Sequence, residues 1–175
     1  MPPVRKTLGN LSSPCYLSLM RLIETQSKPT IVTWCVDYAE KHFLPIYERA
    51  YPGDRRPHEA LESAREWLAG KVKLPAAKVK ILAAHAAARE AEGSHAAQAA
   101  ARATAQAASS IHAPTHSMGM ACYGAAAAAY DRVGTAETPE VYGLLATEAC
   151  GKMEAALRAV AVENEQNPAK INWHC

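Results

Sequence analysis

Phenylalanine occurs once in this 175-residue chain, and aromatic residues together make up only 6% of it. A core assembled from large rings is therefore excluded, because rings that bury roughly 150–250 Å² each are too few here. An excess of either charge is missing too: 19 Lys and Arg stand against 17 Asp and Glu, a formal net charge of +2. That balance argues against a nucleic-acid binder, whose affinity rests on neutralising many phosphates. No apolar run approaches the roughly 18 residues of a membrane-crossing helix. Five widely spaced cysteines, odd in number, make neither a CxxC motif nor a secreted disulfide framework. With Cys175 as the last residue, no prenylation box is expected. There is no Ser/His/Asp signature and no Gly-rich phosphate loop. These absences leave one cytoplasmic domain, of a size that can bury about 70% of its extended surface without disulfides or metal. Arg5, Lys6 and Arg21 around a Leu- and Ser-rich stretch leave an organelle-targeting segment as an alternative, against which Pro14 and the sparse arginine speak.

What is abundant is alanine, roughly a fifth of the chain. Alanine has the best helix propensity, because it loses no side-chain entropy on ordering. No segment alternates with period two, and the punctuation is that of helices. A short helix is expected over 11–25. A longer one is expected over 30–51, carrying Ile31, Cys35, Tyr38, Ala39, His42, Phe43, Ile46 and Tyr47, and kinked or interrupted at Pro45. After the Tyr51-Pro-Gly-Asp54 turn, Asp54 is placed to cap a helix with Pro57 in its first turn and Ala60, Leu61, Ala64, Trp67 and Leu68 on one face. Helices over about 75–92, 94–112 and 115–133 follow, with Ser94 as a cap and Pro114 as an interruption. Thr138 and Pro139 open the last helix, which closes near Glu163.

The reading is an all-α bundle of six or seven helices with Ala-rich central helices. Residues 1–28 form an N-terminal extension, 29–163 the domain and 164–175 an extended or loosely docked tail. Helices of Ala approach at the short end of the usual 8–10 Å range. Trp34, Phe43, Trp67, Tyr123, Tyr130, Leu144, Leu145 and Leu157 are the expected anchors, and full-size polar side chains on the thin helices become the informative residues.

Three constellations qualify. His112-Ala-Pro-Thr-His116 sets two imidazoles four residues apart. On one helix face they could share a divalent metal, although no third ligand is evident. The alternatives are a pair of interior histidines that hydrogen-bond their neighbours or line a pocket, and a pair that is exposed or merely polar. If the helix runs through Pro114, His112, His116, Tyr123 and Tyr130 fall on one stripe, either packed core or pocket wall. His85 and Arg89 lie one turn apart inside an apolar arc of Val79, Ile81 and Leu82. A charge there needs a carboxylate such as Asp37, Asp54 or Glu148, or else a pocket. His95, Gln98, Arg102, Gln106 and Ser109 make one polar stripe, a solvated face or the lining of a groove. A Cys122–His116 nucleophile is unsupported, and the Trp173-His174-Cys175 tail is a weak metal signal.

Four stretches together resemble a family of immunity-like proteins of bacterial polymorphic toxin systems, the immunity-five-like group, also found in fungi. They are Trp34-Cys-Val-Asp-Tyr-Ala-Glu40 with Leu44-Pro45-Ile-Tyr-Glu48; Asp54-Arg-Arg56-Pro57 running on to Gly70; Ala84-His85-Ala-Ala-Ala-Arg89; and Ala101-Arg102 through His116 to Tyr123. The resemblance spans about residues 30–130. It implies an all-helical fold and a protein that neutralises or sequesters a toxin-like protein partner. His85, Arg89, Arg102, His112, His116 and Tyr123 are then the partner-binding or pocket candidates. The alternative is a small helical enzyme or ligand-binding protein that uses an interior His85/Arg89/His112/His116/Tyr123 pocket, with a metal at His112 and His116. Neither reading requires a cofactor, and an Ala-rich face leaves a homodimer open.

Overall fold

The structure, a computed structural model, describes residues 3–174; the Cys175 thiol of the tail signal lies outside the described residues. Among the described residues there are eight helices and no strand. They are α1 (Pro14–Glu24), α2 (Lys28–His42), α3 (Leu44–Ala50), α4 (Arg56–Leu68), α5 (Leu74–Glu90), α6 (His95–Ser109), α7 (His116–Val133) and α8 (Pro139–Val160). The interruption at Pro45 is complete. Lacking an N–H, Pro45 takes the start of α3, and Phe43, still αR at φ −108° and donating to the Ala39 carbonyl, is the one residue between α2 and α3.

The caps follow the sequence signals. Ser94 Oγ accepts from the Ala97 N–H at 3.2 Å, and Thr138 Oγ1 accepts from the Val141 N–H at 3.3 Å. Asp54 sits one residue further out than a cap, yet its Oδ1 accepts the Arg56 N–H at 3.0 Å, one of the orphan donors of α4.

Helix α6 is the axis of the bundle. Ala97, Ala100, Ala101, Ala103, Ala105, Ala107 and Ala108 are completely buried, against α7 above all and also against α2, α3, α4 and α5. Such close approach leaves no room for larger side chains, and Gly124 on α7 shows the limit. A Cβ there would run into the Phe43 ring. Anchors surround this seam: Trp34, Phe43, Tyr130 and Leu157 are buried, and the Trp34 indole donates to the Met153 carbonyl at 3.1 Å.

Other anchors are corrected. Trp67, Tyr123 and Leu145 are only half-buried, and Leu144 is 74% exposed. The arc expected on α5 is buried only at Ile81. Val79 and Leu82 are 65% and 66% exposed, while Ala77, Ile81, Ala84, Ala87 and Ala88 face the core. The backbone-close contact selects the smallest side chains, so the larger ones rotate outward.

The two ends of the chain are stitched to the bundle. The Leu8 N–H donates to the Cys122 carbonyl at 3.1 Å, and the Tyr130 hydroxyl to the Arg5 carbonyl at 2.7 Å. Gln26 exchanges two hydrogen bonds with Val162 through its side chain and accepts the Ala169 N–H at 2.8 Å through its carbonyl. The Trp173 indole donates to Glu24 at 2.7 Å.

Candidate functional site

The central polar cluster forms where α6 ends and α7 begins. Helix α6 stops at Ser109, so His112 lies in the intervening turn and His116 opens α7. The stripe drawn through a continuous helix is therefore broken at Pro114. The turn nevertheless brings the two imidazoles together. It is closed by His112 N–H to the Ser109 carbonyl at 3.1 Å and His116 N–H to the Ala113 carbonyl at 3.1 Å. The Nε2 atoms of His112 and His116 are 3.1 Å apart, with ring centroids at 4.7 Å and edge-on.

Gln106, one turn before the end of α6, fixes the orientation of His116. Its Oε1 lies 2.7 Å from His116 Nδ1. An amide oxygen only accepts, so Nδ1 carries the proton and the neutral ring presents the Nε2 lone pair to the His112 Nε2–H. Gly119 makes room for this amide, because a Cβ at that position would collide with Oε1. Deeper in, the buried Ser109 hydroxyl donates to the Ala105 carbonyl at 2.7 Å and meets His85 Nε2 across a long 3.5 Å contact.

Burial sets the charge state. It pulls His116 down to about 4, with the charges of His112 and His85 adding to the effect. His85 is lowered by burial, then by Arg89 and His112, and His112 is lowered by burial, then by Lys78 and Lys28. In all three the neutral form is favoured. Every charge acting on them is basic.

The remaining candidates divide. Half-buried Arg102 lies over the face of half-buried Tyr123, 5.9 Å from the ring centroid, one turn from Gln106 along α6. Arg89 is exposed and pairs with no carboxylate among the described residues, which corrects the expected ion pair. The acids offered to it are engaged elsewhere. Asp37 is held by Arg65 at 2.8 Å, Asp54 by Arg56 at 2.6 Å, and Glu148 by Arg132 and Lys152 at 3.1 and 2.8 Å. Of the polar stripe on α6, His95 is exposed, Arg102 and Gln106 are half-buried and Ser109 is buried. The stripe thus dives from solvent toward the histidines. The line-up of 102, 106 and 109 carried that signal; Lys28 and Lys78 gave none.

A second polar network is architectural. Asp54 accepts the Tyr47 hydroxyl at 2.7 Å and the Arg56 guanidinium, which also reaches Glu90 at 2.6 Å. Arg56 holds the Asp54 carboxyl down to about 2. This clamp ties the start of α4 to the end of α5.

As a ligand set, the cluster offers two facing imidazole nitrogens backed by an orienting amide. Among the described residues no group of three or more His, Cys, Asp or Glu is placed to hold a metal ion. No helix there is long and apolar enough to cross a membrane.

A bundle built on an alanine axis, with an imidazole pair at the α6–α7 turn and Asp-Arg-Arg-Pro at the head of α4, defines the class of protein. Residues 21–156 match the family model described as "Imm-5 like putative immunity protein", and the chain belongs to that family. The match takes in α2 to α7, most of α8 and every candidate residue named above. No curated protein and no solved structure matches the chain.

Proposed function

We propose that this chain is a non-enzymatic binding protein that neutralises a protein partner by covering it, with the α5–α7 face around His85, Arg89, Arg102, His112, His116 and Tyr123 as the contact. Membership of the immunity-protein family carries the reading. A preformed surface supports it: Gln106 and Gly119 fix His116, and Tyr123 seats Arg102, so little ordering entropy is left to lose on docking. The test is to crosslink and isolate the partner from source cells, reconstitute the purified pair, and assay the partner's own activity. A stoichiometric complex with that activity abolished is expected. A complex that leaves the activity intact, or no stoichiometric complex with any protein, overturns the reading.

The 3.1 Å Nε2–Nε2 approach favours a second reading, a divalent metal held by His112 and His116. Tetrahedral Zn–N distances of about 2.0–2.1 Å would set the two nitrogens slightly farther apart, about 3.3 Å, and the ion would replace the proton between them, with Gln106 as the orienting partner of His116. Elemental analysis of the purified protein tests it. One metal per chain, lost in His112→Ala and His116→Ala, supports the site, and a metal-free protein removes it.

A further inference from the structure

The overall balance of charge hides a strong asymmetry. Between Ala69 and Tyr130 the only acidic residues are Glu90 and Glu92, whereas the same stretch holds Lys71, Lys73, Lys78, Lys80, Arg89 and Arg102 and four histidines. This stretch folds into α5, α6 and most of α7. Its pairing is uneven as well. Lys80 is taken by Glu59 at 2.8 Å, and Glu90 is taken by Arg56. Lys78, Arg89 and Arg102, with Lys28 from α2, pair with no carboxylate among the described residues. Elsewhere Arg56, Arg65 and Arg132 each hold an acid within 3.1 Å.

These four cations share a neighbourhood with the histidines. Lys78 and Lys28 act on His112, Arg89 acts on His85, and Arg102 flanks Gln106. Two of them are braced by rings in place of carboxylates. Lys28 sits 5.3 Å over Trp67 and Arg102 5.9 Å over Tyr123. An aromatic face orders a cation without neutralising it, so the charge stays available to something else. Along α5, Lys78, Leu82, His85 and Arg89 follow steps of four, three and four, which places exposed Leu82 within a basic border. An apolar centre inside a charged rim is the arrangement of a protein contact.

Building on the partner-binding reading above, we infer that the surface received here is acidic: a patch of Asp and Glu side chains on a protein, met by Lys28, Lys78, Arg89 and Arg102 around Leu82 and the three histidines. Matching charge would speed association and exclude basic competitors.

Poly-L-glutamate is the probe. The isotope-labelled full chain is titrated with it, and separately with duplex DNA at equal phosphate concentration, while amide and imidazole resonances are followed. Poly-L-glutamate should shift resonances of α5 and the α6–α7 turn. The Lys78→Glu/Arg89→Glu variant should weaken its binding about tenfold or more, with Lys41→Glu on another face neutral. Shifts scattered over the molecule, an unchanged affinity in the double variant, or tighter binding of DNA to the same face each overturn the inference. The same variant separates this inference from the reading beneath it. If it still forms and silences the reconstituted partner complex as well as the wild type does, the acidic surface is wrong and the binding function stands. If poly-L-glutamate maps to the face but no partner is ever silenced, the neutralising function is wrong and the acid-selective surface stands.

Discussion

The two flanks of α5 treat charge in opposite ways. On the flank facing α4, Lys80 reaches Glu59 and Glu90 reaches the Arg56–Asp54–Tyr47 clamp, so each ion is satisfied inside the molecule. On the other flank Lys78, His85 and Arg89 have no acid, and Arg89 is the chain neighbour of Glu90. One residue of helical rotation separates a structural ion from an unsatisfied one. Paired charges hold helices in place, and unpaired ones on a rigid face are left for something outside.

The largest expected effect is at the clamp. Arg56→Ala strips the partly buried Asp54 of its cation and should cost about 2 kcal/mol in urea unfolding, less than a fully buried pair because the site is partly exposed. A midpoint unchanged from wild type would move the clamp to the class of idle surface pairs. Gly119→Ala comes next, at about 1 kcal/mol. Its methyl pushes the Gln106 amide away from His116, and ¹⁵N shifts of the ring should report loss of the fixed Nδ1–H tautomer. If the tautomer survives, Gln106 does not set it.

Acid should separate the histidine cluster from the Asp54 clamp by pH. The native His116 value is depressed, so below its ordinary value near 6.5 the unfolded chain takes a proton that the native one refuses. Stability is therefore full above about 6.5 and declines as pH falls toward about 4. Asp54 is also depressed, but it is an acid. Its contribution is present above about 3.9 and is lost as pH falls through about 2. Unfolding followed across pH should show both declines, with His116→Gln reducing only the upper one and Asp54→Asn only the lower. The smallest effect is expected from Lys78→Ala and Arg89→Ala, within about 0.5 kcal/mol of wild type because neither has an internal partner. A loss above that would mean that the exposed flank is structural after all.

The all-helical fold was legible because its punctuation is local. Ser94 and Thr138 cap, Pro45 and Pro114 interrupt, and alanine runs between them. The meeting of His112 and His116 was legible from their spacing, although a turn, not a helix, delivers it. The orientation of α5 was not. Summed hydrophobicity points Val79 and Leu82 inward, but close packing admits Ala84 and Ala88 instead, and that preference depends on the neighbouring helix. The lack of a partner for Arg89 was not legible for a similar reason. Which arginine wins Asp37 or Asp54 is decided by tertiary geometry, and Arg65 and Arg56 lie nearer. Gln106 read as part of a wet stripe because nothing in its own helix announces Gly119 across the seam.

The alanine axis carries a thermal consequence. When α6 and α7 separate, water meets methyl groups and much peptide backbone in place of long aliphatic chains. Apolar exposure raises the heat capacity of unfolding and polar exposure lowers it, so the increment per residue should fall below that of a leucine-built bundle. The stability curve would then be shallow. Its dome would be low but wide, and the protein would hold much the same margin against melting from cold to warm.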